Sequence, residues 1–180
     1  MIFEPLAVTG AFLARLEPVA DERGFFARTW CADELAGAGI AVDFVQQSLA
    51  RSTRRGTLRG MHLQVEPHAE AKFVRCVAGA IFDAFVDLRP GSPTYLQGVA
   101  VVLDALRGDA VFVPAGCAHG YQTLEDETDV LYAMSSRYAP QAARSIRWSD
   151  PALGIAWPLA DPIVSPRDAA APSLAEFLRA

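Results

Sequence analysis

A chain of 180 residues is long enough for one domain with a substantial core, and 52% hydrophobic content with mean hydropathy +0.19 excludes both a disordered chain and a membrane protein. A formal charge of -5 argues against a nucleic-acid surface. No run approaches the length of a membrane span, and MIFEPLAVTG lacks the basic and apolar regions of an export signal, so a cytoplasmic protein is expected.

In chain order, strand-length runs are punctuated by Gly, Pro, Asp and Arg: AFLARLEP, FFARTW, VDFVQQSL, TLRGMHLQ, KFVRCVAG, AIFDAFVDL, TYLQGVAVVL, DAVFVPAG, YQTLE, DVLYAMSS and ARSIRW. That spacing predicts a single all-β domain over residues 1–180, a sandwich or barrel. Short helices are expected only at the periphery, mainly near the C-terminus. One is CADELAGAG, with Asp33 and Glu34 in its first turn, and the other is LAEFLRA after Pro172 and Ser173. Cys31, Cys76 and Cys117 are widely spaced without a CxxC pair, which indicates neither a disulfide framework nor a zinc site and fits a reducing compartment.

The stretch GTLRGMHLQVEPHAEAKFVRCVAG, residues 56–79, carries the first candidate chemistry. His62 and Gln64 share parity in a strand and point to one face, while Lys72 heads the next apolar run. A base and a fixed cation would then face a common cavity. Arg51, Arg54 and Arg55 read as a solvated loop rim, whereas Arg59 is fixed beside the His62 strand. The second constellation is GDAVFVPAGCAHGYQ, in which Gly108, Pro114 and Gly116 precede His119. It resembles the second cupin motif, a Pro and Gly turn that delivers a histidine into a jelly-roll barrel. Gly56, His62 and Gly79 match the first cupin motif. Gln64 and Lys72 stand where metal-binding cupins carry a histidine and a glutamate ligand. A fixed ammonium in a ligand position repels a divalent ion, so a metal-free barrel is expected.

A lysine pointing into a barrel requires an anion near it, because burying an ammonium costs several kcal/mol. An enolate oxygen, formed when His62 removes the proton beside a ketone, would fit, with Lys72 as its electrostatic stabiliser. Asp83 reads equally as an orienter of His119 or as a structural carboxylate, and Asp87 with Arg89 as a structural ion pair.

Over nearly its full length the chain resembles the dTDP-4-dehydrorhamnose 3,5-epimerase family of cupins, which inverts two carbons beside the ketone of a nucleotide-linked 4-keto-6-deoxyhexose. The resemblance rests on DERGFF at 21–26, FVQ at 44–46, RGMHLQ at 59–64, KFVRCVAG at 72–79, FDAFVDLR at 82–89, SPT at 92–94, PAGCAHGY at 114–121, LYAMSSRY at 131–138, IRWSDPALGIAWP at 146–158 and SPRD at 165–168. It implies His62 as catalytic base with Asp168 as its partner, Tyr132 as the acid on the opposite face, and Lys72 as the cation near the carbonyl oxygen. Arg23 and Arg59 match diphosphate contacts and Gln46 a nucleotide contact, while Tyr138 and His119 match residues lining the substrate site. The resemblance further implies a dTDP-linked sugar as substrate, no cofactor, and a homodimer in which the segment from Arg23 to Phe26 reaches the neighbour's site.

Taken alone, Tyr132 reads as an ordinary strand aromatic and Asp168 as a cap of the final helical segment; the matched positions of His62, Lys72 and His119 weigh against both. His68, in the turn VEPHAE, reads as solvent-facing. Arg28, Ser48 and Ala133 depart from a glutamate, an asparagine and a lysine common in the family. Such departures suit a different 4-keto sugar, a different nucleotide or inversion at one carbon. A metal-dependent cupin, a sugar-nucleotide 3,4-ketoisomerase and a non-catalytic sugar-nucleotide-binding protein are the alternatives.

Overall fold

The computed structural model describes residues 1–179 and contains strands β1 (Ile2–Pro5), β2 (Phe12–Arg15), β3 (Val19–Asp21), β4 (Gly24–Phe26), β5 (Gln46–Ser52), β6 (Leu58–Gln64), β7 (Lys72–Ala78), β8 (Ala80–Asp87), β9 (Gly98–Asp104), β10 (Ala110–Val113), β11 (Cys117–Thr123), β12 (Thr128–Met134) and β13 (Ala143–Ser145). Its helices are short: α1 (Ala32–Gly37), α2 (Pro166–Ala169) and α3 (Leu174–Phe177). A six-stranded sheet, β1-β2-β10-β7-β12-β5, faces a five-stranded sheet, β13-β6-β11-β8-β9, and β3 with β4 forms a separate hairpin. The chain crosses between the two large sheets at every step from β5 to β8 and again from β9 to β13, so sequence neighbours face each other across the barrel. This is the cupin jelly roll.

Strand parity sorts the side chains. On β7, Val74 and Cys76 enter the core between the sheets, as do Ile81 and Phe85 of β8, Cys117 and Tyr121 of β11, and Val130 of β12. Lys72, Asp83, His119 and Tyr132 have the same parity as these neighbours and therefore point inward too. The opposite parity is also buried. Met61, Leu63, Val86 and Ala118 lie beneath Ile146, Leu153 and Leu174 of the C-terminal segment, and Phe73, Ala110 and Phe112 lie beneath Leu35 and Ile40. Both sheets are thus covered outside as well as inside, which is why β8, β10 and β11 read as nearly continuous buried runs while the edge strand β9 alternates. Each fully buried Phe, Leu or Ile contributes about 1.5–3 kcal/mol.

One close approach sets the site. A Cβ on Gly60 would lie 2.6 Å from Gly120 Cα, and one on Gly120 would lie 2.8 Å from Arg59 O. Only glycines at both places let β6 and β11 come together there, beside a register shift and with His62 directly opposite His119.

Several elements differ from the sequence reading. In FFARTW the strand ends at Phe26, and beyond it Thr29 O serves as an acceptor for Arg75. TYLQGVAVVL becomes a strand only at Gly98, because Asp87 gathers the hydroxyls of Ser92 and Thr94 into a turn ahead of it. His119 lies within β11 rather than on the preceding turn. β1 lies outside the expected runs and exists by pairing with β2. α2 was also unforeseen, being one turn capped by Ser165, and α3 closes on the capping box of Ser173 and Glu176. Asp168 accordingly does not cap the final helix. His68 is half-buried rather than solvent-facing, its carbonyl accepting from Gln64.

Candidate active site

A cavity of about 500 Å³ opens between the sheets, lined on the strand side by Arg59 and His62 of β6, Lys72 of β7, His119 and Tyr121 of β11 and Tyr132 of β12. The C-terminal segment closes the other side with Ile163, Ser165, Arg167 and Asp168. Two elements from opposite ends of the sequence therefore complete one site. The parallel bridge between Thr57 and Ile163 and the bond from Leu58 N to Ile163 O seat that segment beside β6.

His62 Nε2 lies 2.6 Å from Asp168 Oδ1, with the histidine side chain 39% exposed and the aspartate 5%. Burial acts to raise the Asp168 carboxyl, but the hydrogen bond and charge of His62, with bonds from Gly60 and Ser165, hold it below the usual carboxylate range. A carboxylate so held fixes the ring and leaves its other nitrogen uncommitted.

A second pair stands opposite in the register. His119 Nε2 lies 2.8 Å from Asp83 Oδ2, and both side chains are almost fully buried. The His119 ring meets Tyr132 edge-on at 6.3 Å between centroids, so Asp83, which β8 supplies from the neighbouring strand, orients His119. Tyr132 in turn lines the cavity instead of reaching the outer surface. Burial first, then the neighbouring Tyr121 phenol and Asp83, raise its hydroxyl well above the ordinary tyrosine range, with Arg59 acting in the other direction.

Lys72 is buried, its Nζ donating to His62 O at 3.2 Å and lying 3.5 Å from Glu70 Oε1. Desolvation lowers its pKa, and Glu70 and Asp83 oppose that shift. Glu70 thus supplies part of the counter-charge that the sequence reading assigned wholly to a ligand. Gln64 is not among the residues that line the cavity. Its Nε2 donates to His68 O and Glu70 at 3.1 Å, and its Oε1 accepts from Ala139 N at 2.6 Å, tying two loops together. Both ends of the amide are spent and Lys72 is a cation, so the cupin ligand positions do not suit a divalent ion. Among the described residues no group of three His, Cys, Asp or Glu side chains is arranged for one.

The remaining expected residues lie apart from this cavity. Arg23 and Phe26 sit on the β3–β4 hairpin, Arg23 paired with Asp21 and Phe26 79% exposed. Gln46 and Tyr138 adjoin each other, Gln46 Oε1 accepting from Tyr138 N at 3.2 Å, and Gln46 lines a cleft with Trp30, Phe44 and Ala133. Of the departures, Ala133 is in that cleft, Ser48 is the register partner of Tyr132, and Arg28 is bound to Glu34. Sequence reasoning missed Arg167 and Tyr121. Arg167 was visible as the residue beside Asp168 in SPRD, and Tyr121 as the same-parity neighbour of His119.

Fold and site define a cupin-type jelly-roll enzyme, an isomerase acting on carbohydrates, with histidine, tyrosine and lysine gathered in one barrel cavity. The family model for dTDP-4-dehydrorhamnose 3,5-epimerase matches residues 5–176. The chain is 39% identical to the dTDP-4-dehydrorhamnose 3,5-epimerase of Sinorhizobium fredii, over 98% of this chain and 91% of that protein. It superposes with a TM-score of 0.90 on the crystal structure of dTDP-6-deoxy-D-glucose-3,5-epimerase from Legionella pneumophila in complex with dTDP-4-keto-L-rhamnose, at 36% identity and covering 97% and 93% of the two chains. A 3'-monoepimerase from Streptomyces bikiniensis in complex with dTDP-quinovose is similar at a TM-score of 0.89 and 38% identity, covering 97% and 89%. The chain belongs to the dTDP-4-dehydrorhamnose 3,5-epimerase family.

Proposed function

We propose that this protein inverts carbon 3, carbon 5 or both of a dTDP-linked 4-keto-6-deoxyhexose in deoxysugar biosynthesis. The observation that carries the reading is the placement of His62 and Tyr132 on facing sheets across one cavity, since inversion needs a proton removed from one face of a carbon and returned to the other. His62, held by Asp168, takes the proton beside the ketone. The electron pair of the broken carbon–hydrogen bond moves onto the carbonyl oxygen as an enolate, which Lys72 stabilises. Tyr132 then gives its proton to the carbon from the opposite face and the carbonyl re-forms. His119, fixed by Asp83, holds the Tyr132 ring and lines the sugar site. No step calls for a metal or a redox cofactor.

Arg59 serves the diphosphate, and Gln46 with Tyr138 the nucleotide. Arg23 and Phe26 reach the site of a second copy in a homodimer. The exposed Val19, Phe25 and Phe26 on one hairpin suit burial against another chain. A sugar-nucleotide enzyme of this kind works in the cytoplasm, and no helix among the described residues is long and apolar enough to cross a membrane.

Proton NMR of dTDP-4-keto-6-deoxyglucose in deuterium oxide with the purified protein tests the reading. Exchange at carbons 3 and 5 is expected, and exchange at one alone makes it a monoepimerase like its Streptomyces bikiniensis relative. Silence across a panel of 4-keto nucleotide sugars would replace it with a binding role.

A further inference from the structure

The Tyr121 side chain is 1% exposed and lines the cavity, yet its hydroxyl is buried without a hydrogen-bond partner. A buried donor left unpaired is destabilising, and a phenylalanine would fill the same space without that cost. Its ring lies 6.3 Å from that of Tyr132, tilted by 43°. Asp83, the register partner of Tyr121, also has a buried unpartnered oxygen, Oδ1, while its other oxygen holds His119. The unspent donor therefore sits where negative charge is hardest to place.

We propose that Tyr121 is a positioning residue whose hydroxyl donates to the Tyr132 oxygen as that oxygen becomes a phenolate. The inference rests on the epimerase reading and deepens it. When Tyr132 protonates the enolate carbon, its O–H bond breaks, the new carbon–hydrogen bond takes the enolate's electron pair, and the phenolic pair stays on Tyr132. Burial, the Tyr121 phenol as it stands and the Asp83 carboxylate all oppose that charge, so Tyr121 helps only by turning its O–H toward the Tyr132 oxygen. The titratable and charged groups around it are Tyr121 and His119 from β11, Asp83 from β8, Arg59 from β6 and Lys72 from β7. Tyr121 is the neutral donor among them, and it acts in its protonated form, since an ionised Tyr121 would add to the penalty. A donation from Tyr121 that sets in as the phenolate forms stabilises the transition state more than the ground state.

Tyr121→Phe tests the proposal in the full-length protein with dTDP-4-keto-6-deoxyglucose. The expected kcat is lower by about tenfold to a hundredfold with little change in KM. Deuterium should still enter recovered, uninverted substrate through His62, so the ratio of exchange to inversion rises. Thermal unfolding of the variant should occur at or above the wild-type temperature, because the substitution removes an unpaired buried hydroxyl. Unchanged inversion, or a loss of inversion that follows a lowered unfolding temperature, overturns the proposal and leaves the epimerase reading standing. Absence of exchange with the unsubstituted protein across the 4-keto sugar panel overturns both.

Discussion

The two histidine–carboxylate pairs face each other in adjacent strands and yet differ in almost everything that bears on chemistry. His62 and Asp168 are joined at 2.6 Å with the imidazole 39% exposed to the cavity, and their contact spans 106 residues of sequence. His119 and Asp83 are joined at 2.8 Å, are 4% and 0% exposed, and both lie in the five-stranded sheet. The same two side chains thus make an imidazole open to the cavity in one place and a fully enclosed one in the other. What separates them is the backbone behind each carboxylate. Asp83 is carried by a central strand, whereas Asp168 rides on a one-turn helix brought in from the C-terminal segment.

The largest effect that separates the pairs is expected from His62→Asn, which should reduce deuterium exchange at the substrate carbons about a thousandfold while leaving the circular dichroism spectrum intact. Comparable exchange in the variant would remove His62 from its role. Tyr132→Phe should cut inversion about a hundredfold but leave exchange into recovered substrate measurable, since in the proposed mechanism abstraction precedes the step that Tyr132 serves. If exchange and inversion fell together, Tyr132 and His62 would not act on different faces.

Asp168→Ala should lower kcat about tenfold to a hundredfold with a modest change in stability. The Asp168 carboxyl is held below its ordinary range, so the stabilisation from its pairing is present above the unfolded carboxylate pKa and is lost as pH falls through the lowered value. The variant's unfolding temperature should accordingly vary less with pH in the acid range than the wild type's. Asp83→Ala sharpens the contrast from the other side. It leaves the His119 ring buried and unpaired, so a stability loss of about 2 kcal/mol is expected in denaturant titration, with a smaller effect on kcat than Asp168→Ala. Equal kinetic losses in the two alanine variants would erase the distinction between the two pairs.

The smallest effect on activity belongs to Asp87→Asn, a control in the same strand as Asp83. Asp87 is fully buried, bound to Arg89, Ser92 and Thr94, and burial, which would raise its carboxyl, is outweighed by those bonds, which hold it well below its usual range. Removing the charge should cost about 3 kcal/mol of stability near neutral pH, with that difference shrinking on acidification, and should leave the kinetics unaltered.

Most of the architecture was legible because its causes are local. Short apolar runs between turn residues announce strands, and the parity of His62 within its run announces the face that its side chain takes, whereas His119 fell between the expected runs. Lys72 was recognisable as an anomaly, a cation at the head of an apolar strand. The boundaries that failed are those set by distant partners: β1 by pairing with β2, and the late start of β9 by the hydroxyls that Asp87 collects.

By itself the sequence determined the strand alternation, the inward face and the residue types able to move a proton, because each depends on near neighbours along the chain. The tertiary structure alone decided which carboxylate meets which histidine, that the Gln64 amide is spent on two loops, and that Glu70 shares the Lys72 charge. It also decided that the Tyr121 hydroxyl is left unspent beside Tyr132. Those outcomes depend on contacts that close across tens of residues, where hydrogen-bond geometry and burial select one partner among many that composition permits.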